Sequence, residues 1–147
     1  MTPASPGPHH LDLVVTSLER SLAFYRDFLG WTESSEIAGE RGERVMYIWP
    51  PGRPAGPSTA LGLREKQSDA HAVPYDRYGV GIHHLAFAAG SRDEVDERAE
   101  WLRRTGATIE SEPKEYDYTP GYYAVFFYDP DGIKLELVHS PPAANGA

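Results

Sequence analysis

The sequence predicts an α+β fold built from two copies of a β-α-β-β-β module. Three observations carry that prediction. The chain resembles itself at an offset of 74 residues, which matches His10 with His84, Leu11 with Leu85, Ser17 with Ser91, Leu61 with Leu135 and Leu63 with Leu137. Several short stretches alternate apolar and polar residues with the period of a half-buried strand. Two others carry helix caps around apolar residues spaced by three and four.

His10–Val15 opens the first module, with Leu11, Leu13 and Val15 on one face and His10, Asp12 and Val14 on the other. A helix follows, capped by Thr16 or Ser17, with Leu18, Leu22, Tyr25 and Leu29 as its apolar stripe and Gly30 as its stop. Residues 45–49 and 60–64 read as strands on either side of a Pro- and Gly-rich turn. The second module restarts at His84 with a strand to Ala89. Ser91 and Glu94 then form a capping box, Val95, Ala99 and Leu102 make the helix stripe, and Gly106 stops it. An aromatic strand over 122–128, a turn at Asp129–Gly132 and a closing strand over 134–138 complete the pattern. The predicted folded unit is 9–139, a single domain with modules at about 9–66 and 81–139 joined by a linker over 67–80. Residues 1–8 and 140–147 read as flexible tails without the features of a signal peptide.

Composition narrows the function. The 147 residues carry 14 Lys+Arg against 22 Asp+Glu, a formal charge of −8. That balance disfavours nucleic acid or an anionic membrane as partner and favours a small molecule. No apolar run approaches the ~20 residues of a membrane span. With no cysteine, disulfides, zinc–thiolate sites and a cysteine nucleophile are excluded, and a cytoplasmic setting is expected.

Alternation places three donors together. If Leu11, Leu13 and Val15 pack on the helix, His10 faces the other side of the sheet, as does His84 in its own strand. On the closing strand Leu135 and Leu137 face the helix, leaving Lys134 and Glu136 beside the histidines. Two imidazoles and one carboxylate suit a divalent metal, often ferrous iron. The spacing from His84 to Glu136 is 52 residues, and the same spacing from His10 reaches Gly62, which has no side chain to ligate. Each residue alone also has an ordinary structural role: His10 and His84 as strand-start histidines, Glu136 as partner of Lys134.

The stretch HLDLVVTSLERSLAFYRDFLG from His10 to Gly30, His84-Leu-Ala-Phe-Ala88 and Asp129-Pro-Asp-Gly-Ile-Lys-Leu-Glu136 together resemble the vicinal oxygen chelate superfamily. That group includes glyoxalase I, fosfomycin and bleomycin resistance proteins, extradiol dioxygenases and methylmalonyl-CoA epimerase. The resemblance implies paired modules whose mixed sheets curl around a cavity with helices outside, and a divalent metal (Fe2+, Mn2+, Zn2+ or Ni2+) held by His10, His84 and Glu136. It also implies a homodimer. Glyoxalase I and the epimerase carry Glu or Gln at the place of Gly62, so their chemistry does not transfer directly. The acid–base partners of extradiol dioxygenases are missing here or replaced by Tyr116 or Tyr118, the candidate catalytic residues.

Asp12, Arg64 and Lys134 are candidates for supporting the metal ligands or binding an anionic substrate, or else form a salt bridge at the rim. Tyr122, Phe126 and Trp49 are candidates for an apolar substrate wall. Tyr116, Tyr118, His71, Tyr75 and Tyr78 sit in loops able to close over the cavity, while His9 and His83 point away and read as structural. The leading expectation is a metal-dependent enzyme acting on a small oxygen-chelating, perhaps aromatic, substrate. The alternatives are a protein that sequesters an antibiotic or metabolite without turnover, and a purely structural metal.

Overall fold

A computed structural model describes residues 7–52, 60–70 and 74–142. His71 and all but a few residues of the two tails lie outside them. Contacts divide the chain into two compact units, Met1–Ala72 and Val73–Ala147, a division that falls within the stretch read as linker.

In the first unit β1 (His10–Val15) leads into α1 (Leu18–Leu29), followed by β2 (Thr32–Glu33), β3 (Ile37–Ala38), β4 (Arg44–Trp49) and β5 (Ala60–Glu65). The sheet order is β1-β5-β4-β2, with β3 also on β4. β1 runs parallel to β5 and pairs His10 with Ala60 and Asp12 with Gly62, while β4 is antiparallel to β5. α1 starts where Ser17 Oγ accepts the Arg20 N–H and ends at Gly30, whose left-handed φ of 68° spares a side chain the strain it would meet there. The predicted stripe shifts slightly. Leu18, Ser21, Tyr25 and Phe28 are buried, whereas Leu22 and Leu29 are only half-buried. Two aromatic rings at a three-residue step set the buried face, because they remove more apolar area from water than the leucines.

The second unit repeats the plan. β6 (Leu85–Ala88), α2 (Arg92–Thr105), β7 (Ile109–Glu115), β8 (Tyr123–Tyr128) and β9 (Lys134–His139) give the order β6-β9-β8-β7, with β6 parallel to β9. Ser91 Oγ accepts the Glu94 N–H at 3.1 Å and Glu94 reaches back to the Gly90 N–H at 2.7 Å, a reciprocal cap. Val95, Ala99 and Leu102 are fully buried, as the stripe predicts. The turn after β8 is tied by Asp129, whose Oδ1 accepts the N–H groups of Asp131 and Ile133.

β7 is the strand without a clear sequence signal. It contains Pro113 and four charged residues among seven, and its pairing with β8 slips twice. Those irregularities are tolerable because β7 lies at the sheet edge.

Candidate functional site

The inner face of the second sheet carries one row of side chains straight across it. In register, Ser111 of β7 stands beside Phe126 of β8, Phe126 beside Glu136 of β9, and Glu136 beside Ala86 of β6. Ser111, Phe126 and Glu136 of this row floor a cavity of about 460 Å³, lined by His84, Tyr116, Tyr118, Tyr122 and Lys134 as well. Mixed aromatic and ionisable walls of this size suit a small organic ligand.

Glu136 is the buried charge of the site, only 2% exposed. Its Oε2 lies 3.0 Å from His84 Nε2, and its Oε1 accepts the Tyr122 hydroxyl. Burial first, and then the adjacent carboxylate, push the Tyr122 phenol above its ordinary range, so it stays protonated and donates. Ala86 opposite Glu136 leaves room for the longer side chain.

His84 is also held from behind. Its Nδ1 lies 2.7 Å from His83 Nδ1, and the first unit repeats the arrangement with His9 and His10 at 2.9 Å. With Nε2 protonated toward Glu136, His84 Nδ1 accepts from His83; with the Nε2 lone pair freed, the proton sits on Nδ1 and His83 accepts. Burial, and then neighbouring positive charge, lower the His83 pKa and favour its neutral form. His83 lines the cavity rather than turning away, because β6 begins only at Leu85 and strand alternation does not extend to it. The doublet at 9–10 and 83–84, itself offset by 74, was the available sequence signal.

The aromatic wall comes from the hairpin between β7 and β8, where Tyr116 N–H donates to the Tyr122 carbonyl. Tyr116 stacks on Tyr118 with an 8° interplanar angle and meets Phe126 edge-on, while Tyr118 meets Tyr122 edge-on. Tyr116 and Ser111 share a hydroxyl–hydroxyl contact of 2.7 Å. Ser111 escapes sequence reading because its strand does.

Lys134 does not pair with Glu136. Its Nζ lies 2.8 Å from Glu110 and 4.6 Å from the centre of the Phe126 ring. Burial would raise the Glu110 pKa, but hydrogen bonds from Lys134, Tyr128 and Arg77 outweigh it and hold the carboxyl at about 2. Behind the histidines, Tyr75 donates to the His83 carbonyl and Tyr78 packs edge-on to the His83 ring.

In the first unit the equivalent row is Asp12, Gly62 and Tyr47. Asp12 Oδ2 accepts Arg64 Nε at 2.5 Å and the Tyr47 hydroxyl at 3.1 Å, and Oδ1 lies 3.9 Å from His10 Nε2. Arg64 is further committed to Glu43 at 2.7 Å, which leaves it a structural bridge rather than a free anion site. Trp49 ends β4 opposite Thr32, two residues from the tyrosine that reaches Asp12. Among the described residues no three His, Asp or Glu side chains gather into one metal-binding group. Each unit does offer one imidazole Nε2 facing one carboxylate oxygen, the donor chemistry of half such a site.

Two repeated β-α-β-β-β units, each with a histidine–carboxylate pair on the face of its sheet away from its helix, define a class of two-module proteins. Residues 7–137 match the model of the Glyoxalase/Bleomycin resistance protein/Dioxygenase superfamily, and the chain belongs to that superfamily. Among curated relatives, the uncharacterized protein YqjT of Bacillus subtilis (strain 168) is 33% identical, with 88% of this chain and 96% of YqjT covered. The 2-epi-5-epi-valiolone epimerase of an Actinomyces species is 29% identical over 97% of this chain and 84% of the epimerase. Among solved structures, a glyoxylase/bleomycin resistance protein/dioxygenase domain from Frankia sp. EAN1pec aligns at TM-score 0.79 and 25% identity, covering 96% of each chain. The fosfomycin resistance protein FosX of Listeria monocytogenes, complexed with Mn(II) and sulfate, shares the fold at TM-score 0.62 and 19% identity, covering 97% of this chain and 95% of FosX. No helix among the described residues is long and apolar enough to cross a membrane.

Proposed function

We propose that the protein is a divalent-metal-dependent enzyme acting on a small molecule that presents two vicinal oxygens next to a flat, apolar portion. The observation that carries this reading is the His84–Glu136 pair at 3.0 Å on the floor of a cavity walled by Tyr116, Tyr118, Tyr122 and Phe126. His10 joins that pair as third ligand on the strength of the sequence register alone. A bound divalent metal supplies Lewis acidity toward the substrate oxygens.

The chain's own residues do the rest. Tyr122 holds one oxygen of Glu136, so that the other stays turned to His84. His83 exchanges the Nδ1 proton with His84 and keeps its Nε2 directed inward. Tyr116, steadied by Ser111, is the hydroxyl placed to give or take a proton at the ligand, and its stacking on Tyr118 offers a flat apolar surface. Phe126 closes the floor and excludes water. The reaction class, whether oxygenation, lysis or isomerisation, follows the substrate. The same reading places the protein in the cytoplasm as a homodimer, supported by the absence of cysteine and by the family resemblance.

Elemental analysis of protein purified without chelators tests the reading. Wild type is expected to carry stoichiometric divalent metal that His84→Ala and Glu136→Gln lose. Metal-free wild type under metal-replete conditions, or equal loading of all three proteins, overturns it. Tight binding of an aromatic ligand that ignores both substitutions, without turnover, favours sequestration instead.

A further inference from the structure

The two units can be compared position by position through the offset of 74. Residue 12 corresponds to 86, and residue 62 to 136. In the second unit the pair in register is Ala86 and Glu136, a small residue on the first strand and a carboxylate on the last. In the first unit the pair in register is Asp12 and Gly62, the same two kinds of residue exchanged between strands. The exchange is sterically enforced. A Cβ on Gly62 would stand 2.1 Å from Asp12 Oδ1, so the carboxylate of β1 occupies the space that a β5 side chain would need.

The surroundings of the two carboxylates match as well. Each accepts a tyrosine hydroxyl, from Tyr47 on Asp12 and from Tyr122 on Glu136. Each turns its other oxygen toward the Nε2 of the histidine at the head of the first strand, at 3.9 Å in the first unit and 3.0 Å in the second. Two donors bonded to one divalent ion at about 2.0–2.2 Å stand about 3–4 Å apart, which spans both distances. Arg64 and Tyr47 bind only Oδ2 of Asp12, and Oδ1 is buried with no hydrogen-bond partner. A buried carboxylate oxygen without a donor is costly unless a cation completes it.

We propose that Asp12 is the first unit's carboxylate donor, its Oδ1 acting with His10 Nε2 on a divalent metal in place of a side chain at position 62. The proposal rests on the metal-dependent reading above. Arg64 is then a positioning residue that turns Oδ1 toward His10.

Titration of the full-length protein with Mn(II), followed by the electron paramagnetic resonance signal of free Mn(II), tests it without recourse to activity. Asp12→Ala is expected to weaken Mn(II) binding by tenfold or more, and Asp12→Ala/Gly62→Glu, which returns the carboxylate on the neighbouring strand, to recover most of that loss. Asp12→Ala/Gly62→Ala, with circular dichroism to confirm folding, serves as the packing control. Wild-type affinity in Asp12→Ala overturns this proposal and leaves the metal reading intact, as does equal recovery by both double variants. Failure of wild type itself to bind Mn(II) overturns both.

Discussion

Replacing Tyr122 by Phe removes one oxygen from the site and leaves the ring packed against Tyr118. The oxygen matters because Glu136 is 2% exposed and accepts it as a neutral donor to a buried carboxylate. A hydrogen bond to a charged group contributes about 1.5–3 kcal/mol. For a chain of this length the unfolding entropy is about 0.3 kcal/mol per degree, so the midpoint of metal-free Tyr122→Phe should fall by about 5–10 °C. The alkaline side adds a second signature. Because the folded state keeps the Tyr122 proton above the ordinary phenol range, its contribution is fully present below about pH 10 and is lost as pH rises beyond it. Phe should remove that part of the alkaline slope. Thermal unfolding of chelator-treated wild type and variant at pH 7 and across pH 9–11 reads both effects. A midpoint within about 1 °C of wild type at pH 7, with an unchanged alkaline slope, would refute the reasoning.

The remaining expectations concern packing and charge. Gly62→Ala should cost about 1–3 kcal/mol by overpacking, since its Cβ meets Asp12 at 2.1 Å and Tyr47 Cε1 at 2.7 Å. The cost should shrink in an Asp12→Ala background, and a double-mutant cycle of denaturation free energies checks the coupling. Glu110 is held at about 2 in the folded state, so its contribution is present above pH 4.5 and disappears as pH falls from there through 2. Glu110→Gln should be destabilised by about 1–3 kcal/mol at pH 7, and the difference from wild type should close in acid denaturation curves below pH 4.5. Ser91→Ala removes the N-cap of α2 and should cost about 1 kcal/mol in urea titrations.

The legible parts of this chain are those where local chemistry and tertiary packing agree. Ser17, Gly30, Ser91 and Gly106 mark both helices at their observed ends, because caps are set by a few neighbouring backbone groups. Alternation places Glu136 on the cavity face because β9 is a regular, fully paired strand. Where the backbone departs from regularity the same rule fails. His83 lies one residue outside the run of β6 and turns inward, and the bulged, proline-bearing β7 conceals Ser111. Tyr47 is hidden from the sequence for another reason: its partner Asp12 lies across β5 and 35 residues back, a contact that register settles and composition does not. Pairing of Lys134 with Glu110 rather than Glu136 likewise depends on the unpredicted edge strand.

The central claim is that His84 and Glu136 hold a divalent metal at the floor of the aromatic cavity, and anomalous diffraction from crystals grown with saturating Mn(II) tests it most directly. The account predicts a manganese peak within bonding distance of His84 Nε2 and a Glu136 carboxylate oxygen, about 2.0–2.3 Å from each. A fully occupied manganese peak elsewhere, or none at saturating Mn(II) with His84 and Glu136 still in mutual contact, would contradict it.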